Sequence, residues 1–385
     1  MTHAKTAAIL GAGVGGLVAA TRLRRSLPAP HRVVLVDRET VHTFQPSLLW
    51  LAAGTRDRHQ IQAPIARLAG GGIEIVHGEV ESLDPGIRVI RAGGRDIEAD
   101  AMIVALGADL APESVPGLAE AGHNLYTLDG AAAIRDAIAR FDGGRVVILT
   151  ATPAYKCPAA PYEMAMLLEH ALRRRGVRDR TQLDLYAAEP APMGVTGPTL
   201  SGAVRQIVEH KGIRYHPEHH VVSVDPAAHR LAFANGAGAD YDLLIYVPPH
   251  RAPAIVRRAG LAENGDWVAV NRSTMATRYA GVFAIGDVIS VPLAMGKPLP
   301  KAGVFAHRQA EVVAANLAAE WTGRGAPRAF DGHGQCFLET GDGKAGLGYG
   351  DFYAEPTPQV KLRGPGRWWH WAKVLFERRW LKGRF

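Results

Sequence analysis

Apolar residues in this chain come in short unbroken runs, separated by glycine-rich or polar breaks and by longer segments with helical spacing. Such runs read as strands covered on both faces, and the periodic segments between them as helices packed on those strands. Lys5 to Leu27 reads as strand, tight turn and an Ala/Leu/Arg helix, and a second strand from Arg32 to Val36 ends in Asp37. Short antiparallel strands fit Leu68 to Arg95. Apolar strands follow at Ala101 to Gly107 and, much later, within Thr277 to Asp287. Between those two, Val146 to Leu149 reads as a buried strand, Pro161 to Arg174 as a helix, and Leu183 to Ala187 and Leu243 to Val247 as further strands. Lys301 to Ala319 becomes an apolar-periodic helix. Asp331 to Gly350 is dense in glycine without a repeat, which predicts a loop or irregular sheet whose backbone comes close to something.

The first turn, GAGVGG, carries the dinucleotide spacing. Gly11 permits the tight turn, Gly13 lets backbone approach a pyrophosphate, Gly16 lets helix and strand pack closely, and Asp37 is placed to bond a ribose hydroxyl. The strand before, the helix after and the acid about 20 residues on make the motif specific. The fold class expected is therefore α/β, with two Rossmann-like dinucleotide-binding domains and a C-terminal membrane-associating segment. The boundaries expected are 1–112 and 262–330 for a discontinuous first domain, 113–261 for the second and 331–385 for the C-terminal part. The strands ending at Gly107 and at Gly286-Asp287 resemble the two further signatures of the flavoproteins that have two dinucleotide domains in the manner of glutathione reductase. That resemblance implies FAD, with Asp287 bonding the ribityl chain and phosphate and with Gln45 and Pro46 along the isoalloxazine. The helix N-terminus after Lys301, reinforced by the lysine itself, would stabilise negative charge on the reduced ring.

Composition narrows the partners. With 385 residues, 47% hydrophobic and 21% charged, the chain can bury large cores and is not of disordered type. The formal net charge of +7 is concentrated: from Lys361 to Phe385 there are eight Lys or Arg against Glu377 alone, so the rest is neutral and nucleic acid is not an expected partner. The same tail holds four tryptophans, with Trp369, Ala372, Phe376 and Trp380 at near-helical spacing. This reads as an interfacial helix on an anionic leaflet, or alternatively as a helix docked on its own domain or on another copy in a homo-oligomer. No apolar run approaches the length of about 18 residues a spanning helix needs. Ala7 to Ala20 is broken by glycines and is not a signal peptide, so a peripheral location on the cytoplasmic side of the membrane is expected. Two cysteines form neither a disulfide scaffold nor a metal site.

One of those cysteines, Cys157, lies where the second domain should bind its own nucleotide. After Val146 to Leu149 no glycine turn follows; Pro153, Cys157, Pro158 and Pro161 come instead, so a thiol replaces a pyrophosphate cradle. Taken with Lys156-Cys157-Pro158-x-x-Pro161-x-Glu163, Pro300-Lys301-x-Gly303 and Cys336-Phe337 ahead of a basic aromatic tail, the chain resembles the sulfide:quinone oxidoreductases and their relative flavocytochrome c sulfide dehydrogenase over nearly its full length. The resemblance implies oxidation of sulfide to sulfane sulfur or polysulfide through a Cys157/Cys336 redox pair, with Glu163 managing protons and two electrons passing through FAD to membrane quinone. It also implies a quinone site, for which Phe337, Phe376 and Trp380 are candidates. Two departures stand out: Tyr126 and Thr127 occupy a region where many bacterial members have a third cysteine, and Glu189 to Gly197 lacks a histidine found in some relatives. Other readings are a type-2 NADH:quinone oxidoreductase, which needs a second glycine motif, and a flavin-bound, non-catalytic membrane-docking protein.

Overall fold

Five parallel strands in the spatial order Val282–Ala284, Ala101–Val104, Thr6–Leu10, Arg32–Asp37 and Glu74–His77 form the first sheet of the computed structural model, which describes residues 3–262 and 267–385. Ala8 lies opposite Val34 on one side and Met102 on the other. The central strands are closed to water on both faces, as their unbroken apolar runs require. Helices Val14–Ser26 and Gly303–Thr322 pack on each other and on this sheet. Within the segment expected to be antiparallel, Glu74–His77 instead joins the parallel sheet at its edge, with only Val76 buried, while Val80–Asp84, Val89–Ala92 and Arg95–Glu98 form the antiparallel layer.

The second sheet is also parallel, in the order His123–Asn124, Leu243–Val247, Gly144–Thr150, Thr181–Ala187 and Arg214–His216. The chain leaves the first sheet after Ala101–Val104 and returns to it at Val282–Ala284. The outgoing and returning passes pair antiparallel at Asp109–Leu110 and His250–Arg251.

His333–Gly341, Lys344–Asp351 and Gln359–Gly366 make a three-stranded antiparallel sheet. The glycine-dense run is thus the irregular sheet of the two expected forms, with register shifts between Glu339 and Gly341 and between Ala345 and Leu347. Its glycines meet close neighbours: a Cβ on Gly334 would lie 2.5 Å from the Phe305 ring, and one on Gly350 2.0 Å from the Gln359 carbonyl oxygen.

The last helix, Arg367–Trp380, is built inside out. Lys373, Val374, Glu377 and Trp380 form its buried stripe, whereas Trp368 (77% exposed), Trp371 (60%), Leu375 (56%) and Phe376 (42%) face outward. The expected outward set therefore needs correction. Trp380 is 1% exposed, with its ring against Phe44, Phe376 and Phe385 and its Nε1–H donated to His42 Nε2 at 3.0 Å. Apolar spacing alone had identified a stripe but could not say which face the charged residues would claim. Three ion pairs claim the inner one: Lys373 with Glu163, His370 with Glu339, and Glu377 with Arg56.

Candidate active site

Gly11 (φ 98°) turns the chain so that its amide donates to Val36 O at 2.8 Å, and a Cβ on Gly16 would lie 1.7 Å from Gly11 O. No other residue fits that helix–loop contact. At Gly13 and Gly107, by contrast, a Cβ would project into open space, which is the opening a dinucleotide backbone requires. Asp37 ends its strand beside this opening and accepts the amides of Ala12 and, at 2.8 Å, Glu39. The loop is braced from behind by His42, whose Nδ1–H donates to Ala12 O at 3.0 Å while Nε2 accepts from Trp380. Across the sheet, the Gly286 amide donates to Gln309 at 2.8 Å, and burial pushes the Asp287 carboxyl above the usual range, with Lys156 and Lys301 opposing. Lys301 Nζ donates to the carbonyls of Asp287 (2.8 Å) and Ile289 (2.7 Å), and burial lowers its pKa to about 8. Close-packed glycines, two open ones and acids at both strand ends fit an FAD molecule.

The thiol loop is tied to this frame. Cys157 lies between strand Gly144–Thr150 and helix Ala160–Arg174, and its amide donates to Lys301 O at 2.6 Å. Its φ of 49° is left-handed, a strained setting for a residue with a side chain and one that concentrates at functional sites. The Tyr126 hydroxyl donates to Lys156 O at 2.7 Å and Cys157 O at 3.3 Å, so the residue standing in the third-cysteine region braces the loop that presents the thiol.

Cys336 comes from strand His333–Gly341, opposite Gly348, and solvent reaches it although protein surrounds it. The two thiols are not bonded to each other, yet ionising Cys336 opposes ionisation of Cys157. Burial raises both thiol pKa values, that of Cys336 to about 12; Glu163 raises them further and Lys373 works the other way. Glu163 lies in the first turn of its helix and is almost fully buried. One of its oxygens accepts both Lys373 Nζ and the Glu339 amide, each at 2.8 Å. Burial pushes the Glu163 carboxyl up against that cation. Burial also disfavours the charge on Lys373, but Glu163 and Glu339 outweigh it and hold the ammonium above the ordinary lysine range.

The second sheet has an acid, Glu189, just beyond its strand Thr181–Ala187, as Asp37 ends Arg32–Asp37 in the first. Glu189 is buried and accepts the hydroxyls of Thr150 (2.8 Å), Tyr162 (2.7 Å) and Tyr155. The carboxylate is thus engaged by the protein's own hydroxyls.

Gln45 is exposed on the 3-10 turn Gln45–Ser47, Phe337 is half-buried beside Cys336, and Phe376 meets Phe44 edge-on at 5.5 Å between centroids. Sequence reasoning missed Lys373, Lys156, His250 and Glu339. His250 stacks edge-on against Tyr126, and its buried Nε2 has no hydrogen-bond partner. A usable signal for Lys373 existed: His370, Lys373 and Glu377 share one helix face, and polar residues on one face of an otherwise aromatic helix mark a second, buried surface.

The fold and much of the sequence are shared with known proteins. The chain is 26% identical over 396 residues to the sulfide-quinone reductase of Aquifex aeolicus, covering 98% of this chain and 90% of that protein. It is 25% identical over 362 residues to the mitochondrial sulfide:quinone oxidoreductase of Mus musculus, covering 90% and 78%. The X-ray structure of the Aquifex aeolicus sulfide:quinone oxidoreductase superposes with a TM-score of 0.87 at 25% identity, over 99% of this chain and 92% of that one. The profile of the pyridine nucleotide-disulphide oxidoreductases matches residues 5–310, and the chain belongs to that family, with sulfide:quinone oxidoreductases as its relatives.

Proposed function

We propose that this protein is an FAD-dependent sulfide:quinone oxidoreductase, with Cys157 and Cys336 as its sulfur-handling pair and Glu163 as the proton acceptor beside them. What carries the reading is the electrostatic coupling of two thiols from distant parts of the chain to one another and to the buried Glu163–Lys373 pair, with the Cys157 loop tied through Lys301 to the Gly286-Asp287 turn. In the oxidised pair, hydrosulfide attacks one cysteine sulfur and forms a new S–S bond while the bond between the cysteines breaks. A persulfide is left on one cysteine and a thiolate on the other. Glu163 takes the persulfide proton, and Tyr126 and Lys301 hold the Cys157 loop in place. FAD, when bound, accepts the electron pair and passes it to quinone.

Gly13, Gly107, Asp37 and Asp287 would hold the cofactor, with Gln45 and Lys301 along it. Phe337 and Phe376 are assigned to the quinone ring, with Trp380 fixing Phe376 from behind. Sulfide added without oxygen should bleach the flavin, and a short-chain quinone should restore its colour. A flavin that ignores sulfide would sink the reading. NADH should leave the flavin oxidised, because no glycine turn follows Val146 to Leu149 and Tyr155 and Tyr162 already engage Glu189. Rapid bleaching by NADH would establish the rival NADH:quinone reading instead.

The outer face of the last helix supports peripheral membrane attachment, with Trp368, Trp371 and Leu375 in the interface and Arg378, Arg379 and Lys382 toward anionic headgroups, and we assign it to the cytoplasmic side. Among the described residues no helix is long and apolar enough to cross a membrane. The double substitution Trp371→Glu with Leu375→Glu should abolish flotation with anionic vesicles and leave sulfide bleaching within about twofold, since neither side chain enters the site. Vesicle binding that survives it would remove the helix from the interface.

A further inference from the structure

Lys373 extends from the C-terminal helix to the carboxylate that follows Cys157 by six positions. Its side chain is buried, its ammonium donates to Glu163 Oε2 at 2.8 Å, and it lies 5.1 Å from the centroid of the Trp50 ring. The groups facing it are Glu163 from helix Ala160–Arg174 and Glu339 and Cys336 from strand His333–Gly341, with Cys157 also within its field. Glu339 is itself engaged by His370 Nδ1 at 3.0 Å. One cation thus serves two carboxylates and two thiols in an interior where charges are weakly screened.

A proton reaching Glu163 changes that balance. While Glu163 is ionised, it cancels Lys373 and opposes a thiolate on either cysteine. Once it is protonated, Lys373 favours the thiolate, with Glu339 still offsetting part of the ammonium charge and Asp287 still opposing ionisation of Cys157. Sulfur transfer produces both partners of this exchange: a proton from the new persulfide, and an electron pair left on the second cysteine when the S–S bond between the cysteines breaks. We propose that Lys373 is a positioning residue for this reaction, offset by Glu163 before sulfur transfer and freed to stabilise the new thiolate when Glu163 takes the proton. The reaction step rests on the sulfide reading, but the charge coupling is a property of the folded, reduced protein and can be measured without sulfide.

The test uses the FAD-bound enzyme, reduced with dithiothreitol and cleared of it without oxygen. Iodoacetamide labelling of Cys157 and Cys336 is then followed by mass spectrometry across pH. Glu163→Gln should speed labelling of at least one of the two cysteines about five- to tenfold near neutral pH, as a thiol pKa lowered by nearly one unit would. Glu163→Gln with Lys373→Gln should return it to the wild-type rate or below, and Glu163→Gln with Lys373→Arg should keep the gain. No acceleration in Glu163→Gln, or equal acceleration with and without the Lys373 charge, overturns the proposal. If the double glutamine variant loses FAD, Lys373→Gln alone decides: a rate at or below wild type supports the coupling, and a rate matching Glu163→Gln refutes it. Labelling that follows this order in an enzyme that sulfide does not bleach would leave the coupling standing and remove only the sulfide reading.

Discussion

Replacing either Cys157 or Cys336 with serine is expected to lower the rate of flavin reduction by sulfide by about 10⁴-fold or more, the scale seen when an essential nucleophile is removed. Serine keeps the shape of the loop and strand but cannot form the S–S bond that carries the electron pair. FAD should remain bound, because neither side chain is part of the glycine cradle, and the Cys157 contact to Lys301 is made by its backbone amide, which serine retains. The two single variants and the double variant should be equally inactive, since the thiols act as a unit. Stopped-flow absorbance checks this directly. A serine variant at either position that still bleaches at more than about a tenth of the wild-type rate would show that its thiol is not one of the pair.

Trp380→Ala is expected to produce the largest loss of stability, about 3–5 kcal/mol for a fully buried tryptophan. The cost has two parts. A cavity opens among Phe44, Phe376 and Phe385, and His42 Nε2 loses its donor inside the protein. Because His42 holds Ala12 of the dinucleotide turn, flavin release should accompany the loss. Thermal scans that monitor free flavin fluorescence would measure it, and a variant that keeps its flavin to the wild-type temperature would contradict the linkage. The pH dependence has a definite sign. Burial pushes the His42 pKa below its ordinary value of 6.5, so the folded protein favours the neutral ring. The stability this contributes is complete above pH 6.5 and is lost as the pH falls below it, where the unfolded ring takes a proton that the folded one resists. Without Trp380 the ring can be protonated more readily, and the acid-side slope of stability should flatten.

Much of the first unit was legible in the chain. GAGVGG, Asp37 and the strand endings at Gly107 and Gly286-Asp287 impose local backbone demands that few sequences meet by chance, and the fold follows from them, whereas the sulfide:quinone resemblance rests on the blocks around Cys157, Lys301 and Cys336. The proline-rich stretch around Cys157 was equally informative because it shows what cannot form there. Less visible were contacts between segments remote in sequence. Nothing near Glu163 announces Lys373, 210 residues away, and nothing near Ala12 announces Trp380, which reaches it through His42. The C-terminal helix misled for a definite reason: four apolar positions on one side matched an interfacial pattern, but the buried ion pairs of Lys373 and Glu377 turned a different face outward. The glycine-dense run was legible in part: its composition allowed a loop or an irregular sheet, and only the packing against Phe305 decides for the sheet.

The ion pair of Glu163 has its other half on the last helix, Arg367–Trp380, and the indole that backs the nucleotide turn sits on the same helix. Until that helix is made and docked, neither the chamber around Glu163 nor the support behind Ala12 can close. Severing it should therefore yield the same outcome as deleting the active site itself.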